Sequence, residues 1–332
     1  MLKKKLIIFA FMSIIAFGFI VAIPIGVISI NLSSYGKIYK SLSYEYLPDE
    51  PSAVESLNLN VDFGNIIINY IDPPVNYFVK IDLNIEMAGA GLAGKDYLDY
   101  FSIDEGDTSS TPINFTMRLL PGVTESEVES LIKDVSVIVT IQKGIVFDIS
   151  AKVSNGDFKI AVPFKVQINN IEVNNTIGKI SYDLQNCIVG GNITGTTKQG
   201  DVILKSEDIL YIRNSVWYLK SIQDNVLIDI DQSIDMGGNV TGYMESQEKY
   251  VTIIYDDYSY NVGAWFKLVN HTSGIPDDVN HYYNPDGWDW NTSLDSGYEI
   301  MSKDFPAKNN FYVSLYADAS YLFYRWILYN EP

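Results

Sequence analysis

The sequence predicts an all-β ectodomain, a β-solenoid or β-roll of stacked irregular coils, behind one N-terminal transmembrane helix. Three observations carry this. An uncharged run follows three lysines at the N-terminus, apolar and polar residues alternate through most of the remainder, and a glycine-led motif returns every 22 residues. The competing architecture is an antiparallel β-sandwich, whose hairpins also turn on Gly-Asn and Gly-Asp pairs.

The chain opens with Lys3, Lys4 and Lys5, and no charge interrupts Leu6 to Ile30. As a helix those residues would rise about 37 Å, enough to cross a hydrocarbon layer of roughly 30 Å with some tilt. A cleaved signal peptide is the alternative, since Ala16-Phe17-Gly18 is a small-x-small site, but a mostly apolar stretch continues past it. The lysines place the N-terminus in the cytoplasm by the positive-inside bias, so everything beyond residue 30 is expected outside the cell membrane. That part holds 41 acids against 20 bases.

Composition removes several functions. A net charge of -18 argues against a nucleic-acid footprint, which needs clustered Lys and Arg. One cysteine cannot form an intrachain disulfide, and two histidines leave little for His-based metal sites. Cys187, in the apolar stretch Asn186-Cys187-Ile188-Val189, reads as an inert buried thiol. His271 lies inside a sequon and His281 among turn residues. No cofactor, metal site or catalytic residue is assigned, and the protein is expected not to be an enzyme.

Beyond the membrane segment (1–30), residues 31–53 with Pro48 and Pro51 read as a stalk. Residues 54–149 read as an N-terminal β region with an insertion or long loop at 88–123 and one short helix. Its alternation is clearest from Val75 through Val79, Ile81, Leu83 and Ile85 to Met87, the period of a half-buried strand. Thr124 and Glu127 form a capping box ahead of Val128 and Leu131, which predicts the helix. Residues 246–332 read as an aromatic-rich β cap.

The region 150–245 carries the repeat. Gly156-Asp157-Phe158-Lys159-Ile160, Gly178-Lys179-Ile180-Ser181-Tyr182 and Gly200-Asp201-Val202-Ile203-Leu204 stand 22 residues apart, with a variant at Asn225 and an early copy at Gly64. Gly190-Gly191-Asn192-Ile193-Thr194-Gly195 and Gly237-Gly238-Asn239-Val240-Thr241-Gly242 are two near-identical turns. A corner at each glycine, a polar cap after it and two apolar residues at spacing two would let stacked coils share one interior. These units resemble the adhesin-type domains of prokaryotic surface proteins, a mostly uncharacterised family with a predicted β-solenoid fold. The resemblance covers about residues 54–71 and 150–245. It implies a coiled β fold at the cell surface and brings no catalytic residues, and the family's name does not itself establish adhesion.

Two sets of candidate site residues follow. Trp265, Trp288 and Trp290 lie with Asp286 and Asp289 in a stretch that also holds Tyr255, Phe266, Tyr282 and Tyr283. Aromatic faces beside carboxylates can stack sugar rings and bond their hydroxyls, although bulky strand residues also serve as packing. Asn114, Asn174, Asn192, Asn239, Asn270 and Asn291 head Asn-x-Ser/Thr sequons, an expected glycoprotein signal on the outer side; Asn31 sits too near the bilayer. Asp229 and Asp231 point the same way on one expected strand, and a solvated acidic face explains them better than glycoside hydrolysis. The function expected is a membrane-anchored, extracellular, adhesin-like or structural cell-envelope protein without catalytic activity. Its expected partners are the membrane and a cell-surface glycan or envelope protein. The alternative is an extracellular carbohydrate-active enzyme or glycan-binding module.

Overall fold

The computed structural model describes residues 35–257, 262–270, 289–294, 297–301, 305–317 and 319–324. No described helix is long and apolar enough to cross a membrane, and the segment expected to do so lies outside the described residues.

The described chain is all-β. Its strands are β1 (Tyr35–Tyr46), β2 (Glu55–Phe63), β3 (Asn65–Ile71), β4 (Val79–Ala90), β5 (Phe101–Asp104) and β6 (Ile113–Leu119). After the helix α1 (Glu125–Leu131) come β7 (Ile132–Gln142), β8 (Phe147–Asn155), β9 (Phe158–Val162), β10 (Gln167–Ile168), β11 (Ile171–Ile177), β12 (Ile180–Gln185) and β13 (Ile188–Val189). Then follow β14 (Ile193–Gln199), β15 (Val202–Glu207), β16 (Leu210–Tyr211), β17 (Ser215–Ser221), β18 (Val226–Gln232) and β19 (Val240–Ser246). The last are β20 (Tyr250–Asp257), β21 (Val262–Asn270), β22 (Asp289–Leu294), β23 (Gly297–Met301), β24 (Asn309–Ala317) and β25 (Ala319–Tyr324).

Three sheets result. The first runs β1-β4-β7-β3-β9-β12-β15-β18-β20-β25, the second is β10-β13-β16, and the third runs β22-β23-β21-β24-β19-β17-β14-β11-β8-β2-β6-β5. From β8 to β20 successive repeats pair in parallel: Phe158, Ile180, Val202, Val226 and Val251 are neighbours in one row of the first sheet. The ladders of an antiparallel sandwich would run the other way; antiparallel pairing joins β23 to β21 and to β22.

The chain forms two compact units. In the larger one (42–83, 102–118 and 136–332), three kinds of corner join the strands. At the first, Gly64, Gly156, Gly178 and Gly200 hold φ of +125°, +149°, +131° and +130°. Each of the last three sits so close to the glycine before it that a Cβ would overlap that residue's carbonyl oxygen. Asn175 Nδ2 and Ser221 Oγ donate to the Gly156 and Gly200 carbonyls, each at 2.8 Å. After Gly64, Gly156 and Gly200 the next residue caps the following repeat. Asn65 Oδ1 accepts from the Asp157 N–H at 2.9 Å, Asp157 Oδ1 from Lys179 at 2.8 Å and Asp201 Oδ1 from Asn225 at 3.1 Å.

At the second corner Lys165, Asn186 and Asp208 are left-handed, with φ of 61°, 48° and 46°. At the third, the Gly191 and Gly238 positions lie against the backbones of Asn169 and Arg213, too near for a side chain. Between the corners the alternation predicted from sequence holds. Phe158 and Ile160, Ile180 and Tyr182, Val202 and Leu204, and Val226 and Ile228 are all fully buried. Each such side chain contributes about 1.5–3 kcal/mol on leaving water.

The smaller unit (1–41, 84–101 and 119–135) contains α1. Thr124 Oγ1 accepts from the Glu127 N–H at 3.3 Å, half of the predicted capping box, and Val128 and Leu131 are buried. Gly89 leaves room for the Leu131 side chain, and Lys40 Nζ stands 5.4 Å above the Tyr97 ring.

Two expectations need correction. The stalk is in part a strand: β1 occupies Tyr35–Tyr46, with one face exposed and the other half-buried to buried, its pattern blurred in sequence by Gly36 and Lys40 on the inner face and Tyr35 and Tyr39 on the outer. The expected loop at 88–123 holds β5 and β6, the latter burying Ile113, Phe115 and Met117. In the strand predicted from Val75, Val79 to Met87 alternate as expected, while Val75 and Tyr77 precede it and are half-buried.

Candidate functional site

The outward face of the third sheet changes character along the stack. Opposite the buried Ala151, Val173 and Ile193, the rungs β8, β11 and β14 turn out Ser150, Glu172 and Thr194 in one row and Lys152, Asn174 and Thr196 in the next. From β17 onward aromatic residues enter these rows. Tyr218 takes the place after Thr194 and Tyr243 follows it. Tyr316 stands diagonal to Tyr243 and directly beside Glu245.

The three rings form a column. Tyr218 and Tyr243 stack with centroids 5.1 Å apart and planes 11° from parallel; Tyr243 and Tyr316 lie 4.5 Å apart at 29°. One row over, Trp265 pairs with Tyr312, edge to face at 5.9 Å and 89°, and Phe305 closes the cluster on both. Such pairs add about 0.5–1.5 kcal/mol beyond the area they bury.

Glu245 anchors the polar side of the column. Its carboxylate accepts from Gln247 Nε2 at 2.8 Å, from Lys220 Nζ at 3.0 Å and from Tyr243 Oη at 3.1 Å. Burial by itself raises the Glu245 pKa, but the bonds from Gln247 and Lys220, with the Lys220 charge, outweigh it and hold the carboxyl below its ordinary value. Burial, then the Glu245 charge, pushes the Tyr243 phenol up to about 12. The group is therefore an ionised carboxylate saturated by donors, suited to fixing rings and unsuited to delivering a proton.

Of the residues predicted from sequence, Trp265 belongs to this face. Asp289 pairs with Met301, which pairs with Trp265, so the backbone sets Asp289 in the Trp265 row; Trp290 falls in the next row, opposite Ile300. Trp288 and Asp286 lie outside the described residues, as do Tyr282, Tyr283, His271 and His281. Tyr255 and Phe266, grouped with the surface aromatics from sequence, are instead core: both are fully buried, and Tyr255 meets Phe266 and Phe311 edge to face at 5.4 and 6.1 Å. Their places in the alternation of β20 and β21 turn them inward.

Four sequon asparagines are held by the ladder. Asn192 Oδ1 accepts from the Val216 N–H at 2.9 Å and Asn239 Oδ1 from Asn310 at 2.8 Å, so each caps the next rung. Asn174 Oδ1 accepts from Thr196 Oγ1 at 2.7 Å, and Asn114 Oδ1 from Asn58 Nδ2 at 2.9 Å. Asn270 and Asn291 lie in β21 and β22, where the side chains are not described. Asp229 and Asp231 both face outward from β18, in register with Lys205 and Glu207. Cys187 is buried, and burial pushes its thiol up to about 12, the inert state predicted for it.

Sequence reasoning missed Tyr218, Tyr243 and Tyr316. A signal existed for the first two: they stand 25 residues apart, the interval that also separates Gly200 from Asn225.

No protein-family model matches the sequence, and no curated protein matches it. Similar solved structures include a provisionally assigned cell adhesion protein from Clostridium sporogenes ATCC 15579, at 12% identity over 87% of this chain and 100% of that one, with a TM-score of 0.36. Others are provisionally assigned adhesins from Bacteroides fragilis NCTC 9343 (11% identity, 65% and 95% covered, TM-score 0.28) and Parabacteroides distasonis ATCC 8503 (9%, 67% and 90%, 0.24).

Proposed function

We propose that this is a membrane-anchored, extracellular adhesin-like or structural component of the cell envelope, a β-solenoid that presents surfaces and does no catalysis. The supporting observation is the capped parallel ladder. Its glycine corners admit no other side chain, and its Asn and Asp caps tie each repeat to the next. A frame so constrained holds outward residues in fixed rows, which suits presentation. The anchor is the uncharged segment 6–30, and the lysines before it set the orientation.

Protease treatment of intact cells carrying the full chain with a C-terminal tag tests this reading. Loss of the tag from intact cells, with the protein remaining in the membrane fraction after lysis of untreated cells, is the expected result. A tag that survives until the cells are opened, or a chain that leaves the membrane fraction in high salt, overturns it.

A further inference from the structure

We propose that the face built on the small sheet β10-β13-β16 is an interface between two copies of this chain, joined about a two-fold axis that runs along the strands and passes between β13 and β16. The proposal goes beyond the reading of the chain as a surface presenter and rests on the coils alone, so either can fail without the other.

This face is apolar where the outward rows of β8, β11 and β14 are polar. Phe164 ahead of β10, Ile188 in β13, Leu210 and Ile212 at β16 and Ile234 after β18 turn toward solvent on four successive levels of the stack. Phe164, Ile212, Ile234 and Leu210 are 61%, 58%, 44% and 38% exposed. Gln167 holds in β10 the place that Ile188 and Leu210 continue, so the ladder itself does not need an apolar side chain there. A contiguous apolar patch that the fold does not require marks a surface that is covered by something else.

The order of the levels selects what covers it. A two-fold axis along the strands, between the second and third levels, reverses that order and keeps each corner opposite the same corner. Ile188 of one copy then faces Leu210 of the other, and Phe164 on the first level faces Ile234 on the fourth. Ile212 leans over Gly190, its Cδ1 3.3 Å from where a Cβ would stand, so it lies near the axis and meets its own counterpart. Charge follows the same order. Lys165, whose ammonium stands 4.7 Å from the Phe164 ring, is on the first level. Asp208 and Asp231 are on the third and fourth, beside an Asp235 already paired with Lys308 at 2.8 Å. The reversal brings each Lys165 to the acidic end of the other copy, so a second copy supplies both the apolar surface and the opposite charge. Four levels at the usual strand spacing span only about 14 Å, too little for a standard interface of roughly 800 Å² a side, so the pair is expected to be reversible.

Cross-linking of the detergent-purified full chain with a short bismaleimide tests the arrangement, since the buried Cys187 thiol stays silent. Mixing Phe164→Cys chains with Ile234→Cys chains should give a covalent dimer. Neither variant alone should, because its two cysteines would be displaced along the stack by about 14 Å. Sedimentation equilibrium of the wild type should show monomer–dimer exchange. Its dissociation constant should rise about tenfold in Ile212→Ser, where each substitution acts twice across the axis, and about threefold in Lys165→Glu. If Ile212→Ser lowers the melting temperature, Ile234→Ser supplies the same comparison. A chain that stays monomeric as its concentration rises, or cross-linking of a single variant as readily as of the mixture, overturns the proposal. So does a dimer that these substitutions leave unchanged, as pairing through the N-terminal segment would give.

Discussion

Gly178 rests on Gly156 so closely that a Cβ on Gly178 would overlap the Gly156 carbonyl oxygen, and Gly178 itself holds φ of +131°. Both constraints act at once, and both recur at Gly200 against Gly178. Gly178→Ala should therefore destabilise the protein by more than about 3 kcal/mol, combining backbone strain with a forced shift of the stacked rungs. Gly144 supplies the control: its φ is +94° but nothing lies within 4 Å of a Cβ there, so Gly144→Ala should cost only about 1–2 kcal/mol. Thermal melting of the two variants side by side checks the difference, and equal losses would show that the stacked carbonyl contributes nothing.

Asn192 is a capping residue as well as a sequon. Removing its acceptor leaves the Val216 N–H without its 2.9 Å partner, so Asn192→Ala should cost about 1–2 kcal/mol. Asn192→Asp keeps an oxygen there and should cost less than about 0.5 kcal/mol. Thr194→Val abolishes the sequon without touching the cap; an unchanged mass for that variant in a host that glycosylates the wild type elsewhere would mean Asn192 carries no sugar.

The Glu245 cluster makes a pH prediction. Its folded pKa lies below the ordinary value, so its contribution is present above the unfolded pKa and disappears as pH falls through the folded one. Wild-type melting temperature should thus drop on acidification below the ordinary glutamate range. Glu245→Gln should start lower at neutral pH and show a shallower acid decline. Parallel acid slopes for the two proteins would rule out this carboxylate as a contributor.

Cys187 should resist thiol reagents in the folded protein at pH 8, since its thiol is buried and pushed up to about 12. Ellman's reagent should report one thiol after denaturation and none before it.

How much of this was legible depends on how narrowly physics restricts each position. Gly156, Gly178 and Gly200 could be found because a positive φ in contact with backbone admits one residue type, leaving the same letter at each turn of the repeat. The second corner was invisible because the left-handed region tolerates Asn, Asp and here Lys, so Lys165, Asn186 and Asp208 share a conformation without sharing a letter. Strand β1 alternates in burial, but Gly36 and Lys40 interrupt its inward face and Tyr35 and Tyr39 stand on its exposed one, so the letters do not show the period. The tyrosine column escaped notice for a related reason: outward positions obey no core constraint, and Ser150, Glu172, Thr194 and Tyr218 succeed one another in a row without any rule of composition. Trp265 lies on the outward face, whereas Tyr255 and Phe266 beside it point inward, and the strand phase had to be known before the two could be told apart.

Asp157, Asn192 and Asn239 each cap the rung after their own, so these caps do not fix how many rungs the ladder has. Duplicating one 22-residue segment, cut between Gly178 and Gly200 for example, would add one rung of about 4.8 Å to the ladder and break the Arg213–Asn169 bond that spans the cut. The number of rungs could thus be adjusted in evolution by copying, one increment at a time.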